Sequence, residues 1–228
     1  NLAAISYLGY LYLYGIQVPQ SVERGLEYYR QGAAMHDSES LYRLGLYWLL
    51  KKTATKENLV KGAAYLERSA AQGHQSAIKR LIKYYRGHYG EETYYAKAAA
   101  LMHRAMKIPD ISAEIPFTLG QAYIAGDGVE KSESKAFVLF EKAAKMNYRD
   151  AMLKLGDAYK YGIGVKRQPI KSYRFYRQAA MVGSRDSMIA LVDGYSCGVG
   201  KPPNKRYTNV WKQRAIHEGA GKILRPEV

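Results

Sequence analysis

The sequence is poor in the residues that build disulfide frameworks, metal sites and active centres. It has a single cysteine, Cys197, among 228 residues, so no intrachain disulfide can form. No two of its five histidines have the i, i+4 spacing of a helical metal site, and no Cys-x-x-Cys motif is present. No catalytic constellation can be assembled from the remaining residues. We therefore expect a protein that has no metal, no cofactor and no enzymatic activity.

Long hydrophobic runs are also missing. The longest candidate, residues 41–50, is too short to cross a bilayer and contains Arg43. Hydrophobic residues nevertheless make up 47% of the chain and the mean hydropathy is −0.38, which is typical of a packed soluble protein. Cys197 lies near the end of a helical pattern, where we expect it to act as a small buried hydrophobe; a reactive thiol is the alternative.

Acidic residues are few, and the chain carries a formal net charge of +15 with a pI near 9.7. The excess of lysine and arginine is strongest from Lys166 onward. A positive field favours an acidic partner, which could be a protein, an anionic glycan, a lipid surface or a nucleic acid. The absence of a known reading module disfavours nucleic acid. A solvated basic face without any partner is the alternative interpretation.

What the sequence does contain is a repeat. In the clearest copy, a helical pattern around Leu155 ends at Gly162 and Gly164, a second helix begins at Pro169, and Gly183 ends it. The second member of the Leu-Gly pair, or its substitute, recurs at residues 9, 45, 82, 120, 156 and 192. An Ala-Ala pair recurs at residues 33–34, 70–71, 143–144 and 179–180. Two markers with one period of this size predict a solenoid of stacked helix pairs.

The glycine of the Leu-Gly pair stands inside a helix, where it costs about 1 kcal/mol relative to alanine. Close approach of the paired helix would offset that cost. In the clearest copy, Ala179 and Ala180 have the small side chains that we expect to face Gly156.

The pattern Leu-Gly-x-x-Tyr-x-x-Gly-x-Gly-Val, followed by a polar linker, an aromatic helix and Ala-Ala-x-x-Gly, resembles the Sel1-like repeat, a relative of the tetratricopeptide repeat. The resemblance is clearest at residues 119–148 and 155–183 and weakest at 81–106. It implies an all-α, right-handed α-solenoid of about six antiparallel helix pairs in a single domain, residues 1–228. The repeats would span about 1–37, 38–75, 76–110, 111–147, 148–183 and 184–219, with a tail at 220–228. The single cysteine excludes the subgroup whose repeats are each stapled by a cysteine pair.

Two of the turns depart from the pattern. The second repeat has residues 51–56 and the third has residues 87–90 where the turn glycines would stand. Either these turns have a conformation that serves a function, or their sequences have changed because a loop tolerates substitution.

By the same resemblance, the first helix of each pair lines a concave surface on which a partner would bind. The exposed stripe is expected three residues before the glycine position and one, four and five residues after it. We predict partner-binding residues on this stripe: Tyr10, Tyr14, Tyr42, Lys79, Lys83, Arg86, Gln121, Asp157, Lys160, Tyr161 and Asp193. Aromatic residues and arginine favour an interface, although packing against neighbouring repeats would explain part of the same stripe.

The resemblance implies a bacterial, non-enzymatic scaffold or adaptor that mediates protein–protein interaction. The alternative is an envelope component that binds, or assembles machinery for, an anionic polysaccharide or cell wall, for which tyrosine stacking and basic charge are suited. Family roles favour the periplasm, envelope or exterior over the cytoplasm. The chain begins inside a helical pattern without a charged-then-apolar leader, so we expect a fragment or processed form of a longer protein.

Overall fold

The computed structural model describes residues 1–51, 53, 55–87, 92–198 and 204–217. These residues form helices and no strand. The helices are α1 (Leu2–Tyr14), α2 (Val22–Ala34), α3 (Ser38–Leu50), α4 (Lys56–Ala71), α5 (Gln75–Arg86), α6 (Glu92–Ala105), α7 (Glu114–Ala125), α8 (Glu133–Lys145), α9 (Arg149–Tyr161), α10 (Pro169–Met181), α11 (Arg185–Cys197) and α12 (Lys205–Ala215).

Each odd-numbered helix packs against the even-numbered helix that follows it, which gives six helix pairs. We call the odd-numbered members the first helices and the even-numbered members the second helices. The predicted all-α fold of paired helices is confirmed. Short connections force the two members of a pair to run antiparallel.

The helices group into two compact units. Unit 1 covers Asn1–Ile111 and contains α1 to α6; unit 2 covers Ser112–Val228 and contains α7 to α12. Unit 1 has a core cluster around Tyr29, Leu41 and Leu44, and unit 2 has one around Tyr176, Leu191 and Trp211. That a single domain holds all six repeats stays a prediction.

The helix ends follow from local sequence. Gly15, Gly126, Gly162 and Gly198 adopt the left-handed conformation directly after α1, α7, α9 and α11, which confirms the predicted stop at Gly162. The Ser21 side chain caps α2 and the Asn204 side chain caps α12. Residues 52, 54 and 88–91, which hold much of the two divergent turns, lie outside the described residues, as do residues 199–203 and the predicted tail.

The contacts of the repeat glycines differ from the prediction. Gly156 lies under the ring of Tyr176, so that an added Cβ would come within 2.4 Å of the ring. Gly9 lies under Tyr29 and Gly120 under Phe140 in the same way, while Gly45 faces the side chain of Leu66. The expected Ala-Ala partner was therefore wrong: the glycine makes room for a large buried side chain of the second helix.

The Ala-Ala marker itself needs a correction in the first two repeats, because Ala34 and Ala71 are exposed. The buried small pairs there lie one residue earlier, at Gly32–Ala33 and Ser69–Ala70. Gly32 packs directly on Ser40 of the next first helix. The small residues thus serve the contact between repeats.

Within the described part of the chain, no helix is long and apolar enough to span a membrane.

Candidate functional site

Unit 1 presents a cluster of aromatic rings around one guanidinium group. The rings of Tyr10 and Tyr14 on α1 lie 4.9 Å apart, and the ring of Tyr7 lies 6.4 Å from that of Tyr10. On α3, the Arg43 guanidinium lies 5.7 Å from the ring centroids of both Tyr10 and Tyr42. These are favourable cation–π distances. We call Tyr7, Tyr10, Tyr14, Tyr42 and Arg43 the tyrosine–arginine surface.

Arg43 is held in position by a carboxylate and a histidine. Its Nε donates to Glu39 Oε1 at 2.5 Å, and Glu39 Oε2 lies 2.9 Å from His74 Nε2. The His74 ring also stacks on Tyr42, with centroids 4.7 Å apart. Hydrogen bonds from His74 and then from Arg43 lower the pKa of the Glu39 carboxyl, against the opposing effect of its burial. The ionised carboxylate therefore orients the guanidinium before any partner arrives.

The tyrosine–arginine surface has solvent-exposed rings at its edge and partly buried side chains at its base. Tyr7 and Tyr14 are 58% and 55% exposed, whereas Tyr10, Tyr42 and Arg43 are half-buried. Tyr14 and Arg43 also border a cavity of about 300 Å³ whose apolar wall includes Leu13, Leu46 and Leu50. The arrangement offers aromatic faces, one oriented cation and an apolar recess, which together can hold a side chain of a partner.

Tyr29 lies beneath this surface. It is fully buried, it packs against Tyr10, and its hydroxyl has no hydrogen-bond partner among the described residues. Burial raises the pKa of Tyr29 to about 12, so its hydroxyl stays protonated at physiological pH.

The predicted basic residues of unit 1 lie together on α5. Lys79 and Lys83 are exposed, Arg86 is half-buried, and the α5 sequence contains no acidic residue. Among the described residues, no hydrogen bond, ion pair or ring contact joins Lys83 or Arg86 to Tyr10, Tyr14 or Tyr42. The structure therefore gives unit 1 an aromatic part on α1 and α3 and a basic part on α5.

In unit 2, the predicted residues Gln121 and Asp157 border a cavity of about 360 Å³ between α7, α8 and α9. Its walls include the rings of Phe137 and Phe140. Asp157 accepts a hydrogen bond of 2.8 Å from the Tyr176 hydroxyl.

The predicted residues Lys160 and Asp193 border a second, smaller cavity of about 140 Å³. Tyr173 and Cys197 line it as well, and Cys197 is exposed. The prediction that Cys197 is buried was therefore wrong, because this last residue of α11 is exposed to solvent. Tyr161, 63% exposed, has the Lys160 ammonium 5.0 Å from its ring centroid.

Three further candidates lie outside the predicted stripe: Tyr7, Arg43 and Lys154. Each lies two residues before the glycine position of its repeat, a place that the predicted stripe left out. A stripe that also included this position would have found all three, since it follows the four-and-three spacing of a helix face. In the described part of the chain, no group of three or more histidine, cysteine, aspartate and glutamate residues could hold a metal ion.

Comparison with models of known protein families identifies four of the repeats. Residues 2–37, 38–74, 117–148 and 149–184 match the Sel1 repeat, and together they make up more than half of the chain. No curated protein matches the sequence.

Two bacterial crystal structures have similar folds. A protective antigen of uropathogenic Escherichia coli strains with an SLR fold is 23% identical, with a TM-score of 0.81 over 96% of this chain and 46% of its own. A Sel1 repeat protein from Oxalobacter formigenes is 24% identical, with a TM-score of 0.76 over 96% of this chain and 88% of its own. This chain thus spans just under half the length of the E. coli protein.

Proposed function

Because this chain belongs to the Sel1 repeat family, we propose that it is a non-catalytic scaffold that holds a protein partner on its first helices. Sel1 repeats generally act as protein-interaction scaffolds and are typically non-catalytic. The partner-binding role of the predicted stripe residues is part of this proposal.

The tyrosine–arginine surface is the observation that supports the proposal most. Tyrosine and arginine are the residues in which binding energy concentrates at interfaces. The Arg43 side chain is already held by Glu39, so little rotamer freedom remains to be lost on binding. Tyr7 and Tyr14 leave large aromatic areas exposed beside it, and a partner would bury them.

We propose further that the partner is acidic. The net charge of +15 and the all-basic face of α5, with Lys79, Lys83 and Arg86, would attract an acidic protein from a distance. An acidic segment could lie across α5 while an apolar or aromatic side chain contacts Tyr14 and Arg43.

An anionic polysaccharide is the second candidate partner. The exposed rings of Tyr7 and Tyr14, beside the Arg43 guanidinium, offer flat faces for sugar stacking close to a positive charge. Such binding would need no protein side chain in the 300 Å³ cavity.

The first experiment is an affinity pull-down from the native cell extract with the immobilised chain, read by mass spectrometry. The variant Tyr7→Ser/Tyr14→Ser removes only exposed rings, so the fold should persist while capture falls at least tenfold. The control variant Tyr207→Ser/Val210→Ser changes two exposed residues of α12 and should capture normally. Equal capture by both variants would contradict the proposed surface. Direct binding of alginate to the unchanged chain, weakened in Tyr7→Ser/Tyr14→Ser, would favour the polysaccharide.

A second pair of variants tests the basic part. Lys83→Glu/Arg86→Glu should abolish capture while the helical circular dichroism signal stays unchanged. Lys142→Glu/Lys145→Glu makes the same charge change at exposed positions of α8 and should leave capture intact. If the two double variants behave alike, net charge and not the α5 face governs binding.

A further inference from the structure

The basic residues in the last part of the chain have no role in the proposed function. The excess of lysine and arginine begins at Lys166, and α10 and α12 both lie beyond that residue. Neither helix contains an acidic residue. Both are second helices of unit 2 and both pack against α11, so they lie outside the first-helix surface on which we place the protein partner.

The remaining second helices carry charges of both signs. On α2, Glu23 and Glu27 are exposed beside Arg24 and Arg30. The sequences of α4, α6 and α8 also contain glutamate as well as lysine or arginine. Charges of both signs on one helix face are typical of a surface that only contacts water. The outer faces of α10 and α12 differ from this pattern, and charge of a single sign favours an anionic partner.

The cations of α10 lie on its exposed side and include two unpaired guanidinium groups. Lys171, Arg174 and Arg177 are all exposed, and their spacing of three residues puts neighbouring members on the same side of the helix. The Lys171 ammonium lies 5.4 Å from the ring centroid of Tyr159. Within the described part of the chain, the side chains of Arg174 and Arg177 form no ion pair and no hydrogen bond. Both guanidinium groups can therefore bind an anion without breaking an internal contact.

Exposed aliphatic side chains stand at both ends of α10. Ile170 is 60% exposed near the start of the helix, Met181 is 66% exposed at its end, and Val182 directly after it is 50% exposed. Ile170, Arg174 and Met181 point to nearly the same side, because the first two lie about one helical turn apart and Met181 follows Ile170 by about three turns. The outer face of α10 therefore combines aliphatic groups with unpaired cations, as a helix that binds in a membrane interface does.

The aliphatic groups indicate which kind of anion fits. A nucleic acid would supply bases that stack on exposed aromatic rings. The aromatic rings of α10 are turned inward: Tyr173 and Tyr176 are buried, and Phe175 stacks on Tyr159 with centroids 5.5 Å apart. A soluble polyanion would leave the aliphatic side chains in water. An anionic membrane surface takes up both groups, since aliphatic side chains enter the boundary of the acyl chains while lysine and arginine reach the lipid phosphates.

We propose that the outer face of α10 binds an anionic membrane surface, with Ile170 and Met181 in the interface and Arg174 and Arg177 on lipid phosphates. The helix lies on the membrane and does not cross it. The basic residues of α12 add to the positive field of unit 2 and strengthen the attraction. This inference goes beyond the scaffold function, because it assigns a second helix to a lipid surface and leaves the first helices to a protein partner.

Co-sedimentation of the full chain with lipid vesicles tests the inference. One set of vesicles is pure phosphatidylcholine, and the other contains equal parts of phosphatidylcholine and phosphatidylglycerol. We expect the chain to bind the anionic vesicles at least tenfold more tightly than the neutral ones. Binding should weaken as the salt concentration rises, because salt screens the attraction to the headgroups. Absence of binding to the anionic vesicles, or equal binding to both sets, would overturn the inference.

Two double variants separate the cations from the aliphatic groups. Arg174→Glu/Arg177→Glu should lower the affinity for anionic vesicles at least tenfold. Ile170→Ser/Met181→Ser should lower it about tenfold while binding to heparin, a soluble polyanion, stays unchanged. All four residues are exposed, so the helical circular dichroism signal should not change. If Ile170→Ser/Met181→Ser binds vesicles as tightly as the unchanged chain, the face recognises charge alone and the proposed membrane contact is contradicted.

A fluorescent label locates the face that contacts the lipid. Cys197 is the only cysteine of the chain and is exposed at the end of α11, a first helix. An environment-sensitive dye attached to the double variant Met181→Cys/Cys197→Ser should shift its emission to shorter wavelength when anionic vesicles are added. The same dye on Cys197 of the unchanged chain should show no shift. A shift at Cys197 without one at position 181 would overturn the assignment to α10.

Charge reversal on α5 separates this inference from the scaffold function. Lys83→Glu/Arg86→Glu makes the same charge change as Arg174→Glu/Arg177→Glu. The α5 variant should lose partner capture but bind anionic vesicles within about threefold of the unchanged chain. The α10 variant should show the reverse. Equal loss of vesicle binding in both variants would mean that net charge governs binding, which overturns the α10 site and leaves the scaffold function standing. Normal capture by the α5 variant contradicts only the scaffold surface.

Discussion

At Gly156 one missing methyl group decides how closely α9 and α10 pack. A Cβ at this position would lie 2.4 Å from the Tyr176 ring, far inside contact distance. Tyr176 is 3% exposed and its hydroxyl is bound to Asp157, so the ring has little freedom to withdraw. We predict that Gly156→Ala destabilises the protein by about 1–3 kcal/mol, as overpacking of a core does. Urea unfolding measures this, with Arg149→Ala on the exposed face of α9 as the control. A more stable Gly156→Ala chain would contradict the assigned packing.

Glu39 is the other single residue with a measurable consequence. Its pKa is lowered in the folded protein, first by the hydrogen bond with His74 and then by that with Arg43. A lowered carboxyl pKa stabilises the fold above the unfolded value, near 4.5, and this contribution is lost as pH falls through the folded value.

We therefore predict that Glu39→Gln loses less stability than the unchanged chain as the pH falls below about 4.5. Unfolding by urea at each pH measures the difference. Glu23→Gln, an exposed change on α2, should follow the unchanged chain. A Glu39→Gln profile identical to that of the unchanged chain would show that the Glu39 pairing has no effect on stability.

The start of α5 depends on a side chain that also contacts the preceding repeat. His74 Nδ1 accepts a hydrogen bond from the Ala77 N–H at 3.2 Å and so caps the helix, while Nε2 binds Glu39 of α3. The His74 imidazole thus caps the N-terminus of α5 and also joins α5 to the preceding repeat by a hydrogen bond.

We predict that His74→Ala costs about 1 kcal/mol more stability than His74→Asn, because asparagine restores the cap but not the tie to Glu39. Urea unfolding of both variants gives the difference. Equal stability would mean that the cap contributes nothing to α5.

The sequence predicted the helix pairs well, because glycine and alanine at fixed intervals leave few other ways to bury the helices. It failed where the rotation of a helix about its own axis matters. Gly156 faces Tyr176 and not Ala179, and Arg43, which lies outside the predicted stripe, packs against the rings of Tyr10 and Tyr42. It also failed at the end of α11, where burial of Cys197 depends on what covers the helix end. Local pattern carries none of this information.

For the whole molecule, the net charge of +15 should control how fast a partner arrives. Attraction between an exposed basic face and an acidic protein is screened beyond about 8 Å at physiological salt. We predict that raising the salt from about 50 mM to about 500 mM lowers the association rate of the captured partner at least tenfold. If partners bind at Tyr14 and Arg43 as proposed, dissociation depends on those short-range contacts and should change much less. Surface plasmon resonance separates the two rates, and an association rate independent of salt would contradict an acidic partner.

The central claim is that partners bind on the first helices of this scaffold. Hydrogen–deuterium exchange of the chain, with and without its captured partner, tests that claim most directly. The account predicts slower exchange in α1, α3 and α5 when the partner is bound, and unchanged exchange in α2 and α4. Protection confined to the second helices, with α1 and α3 unchanged, would contradict it.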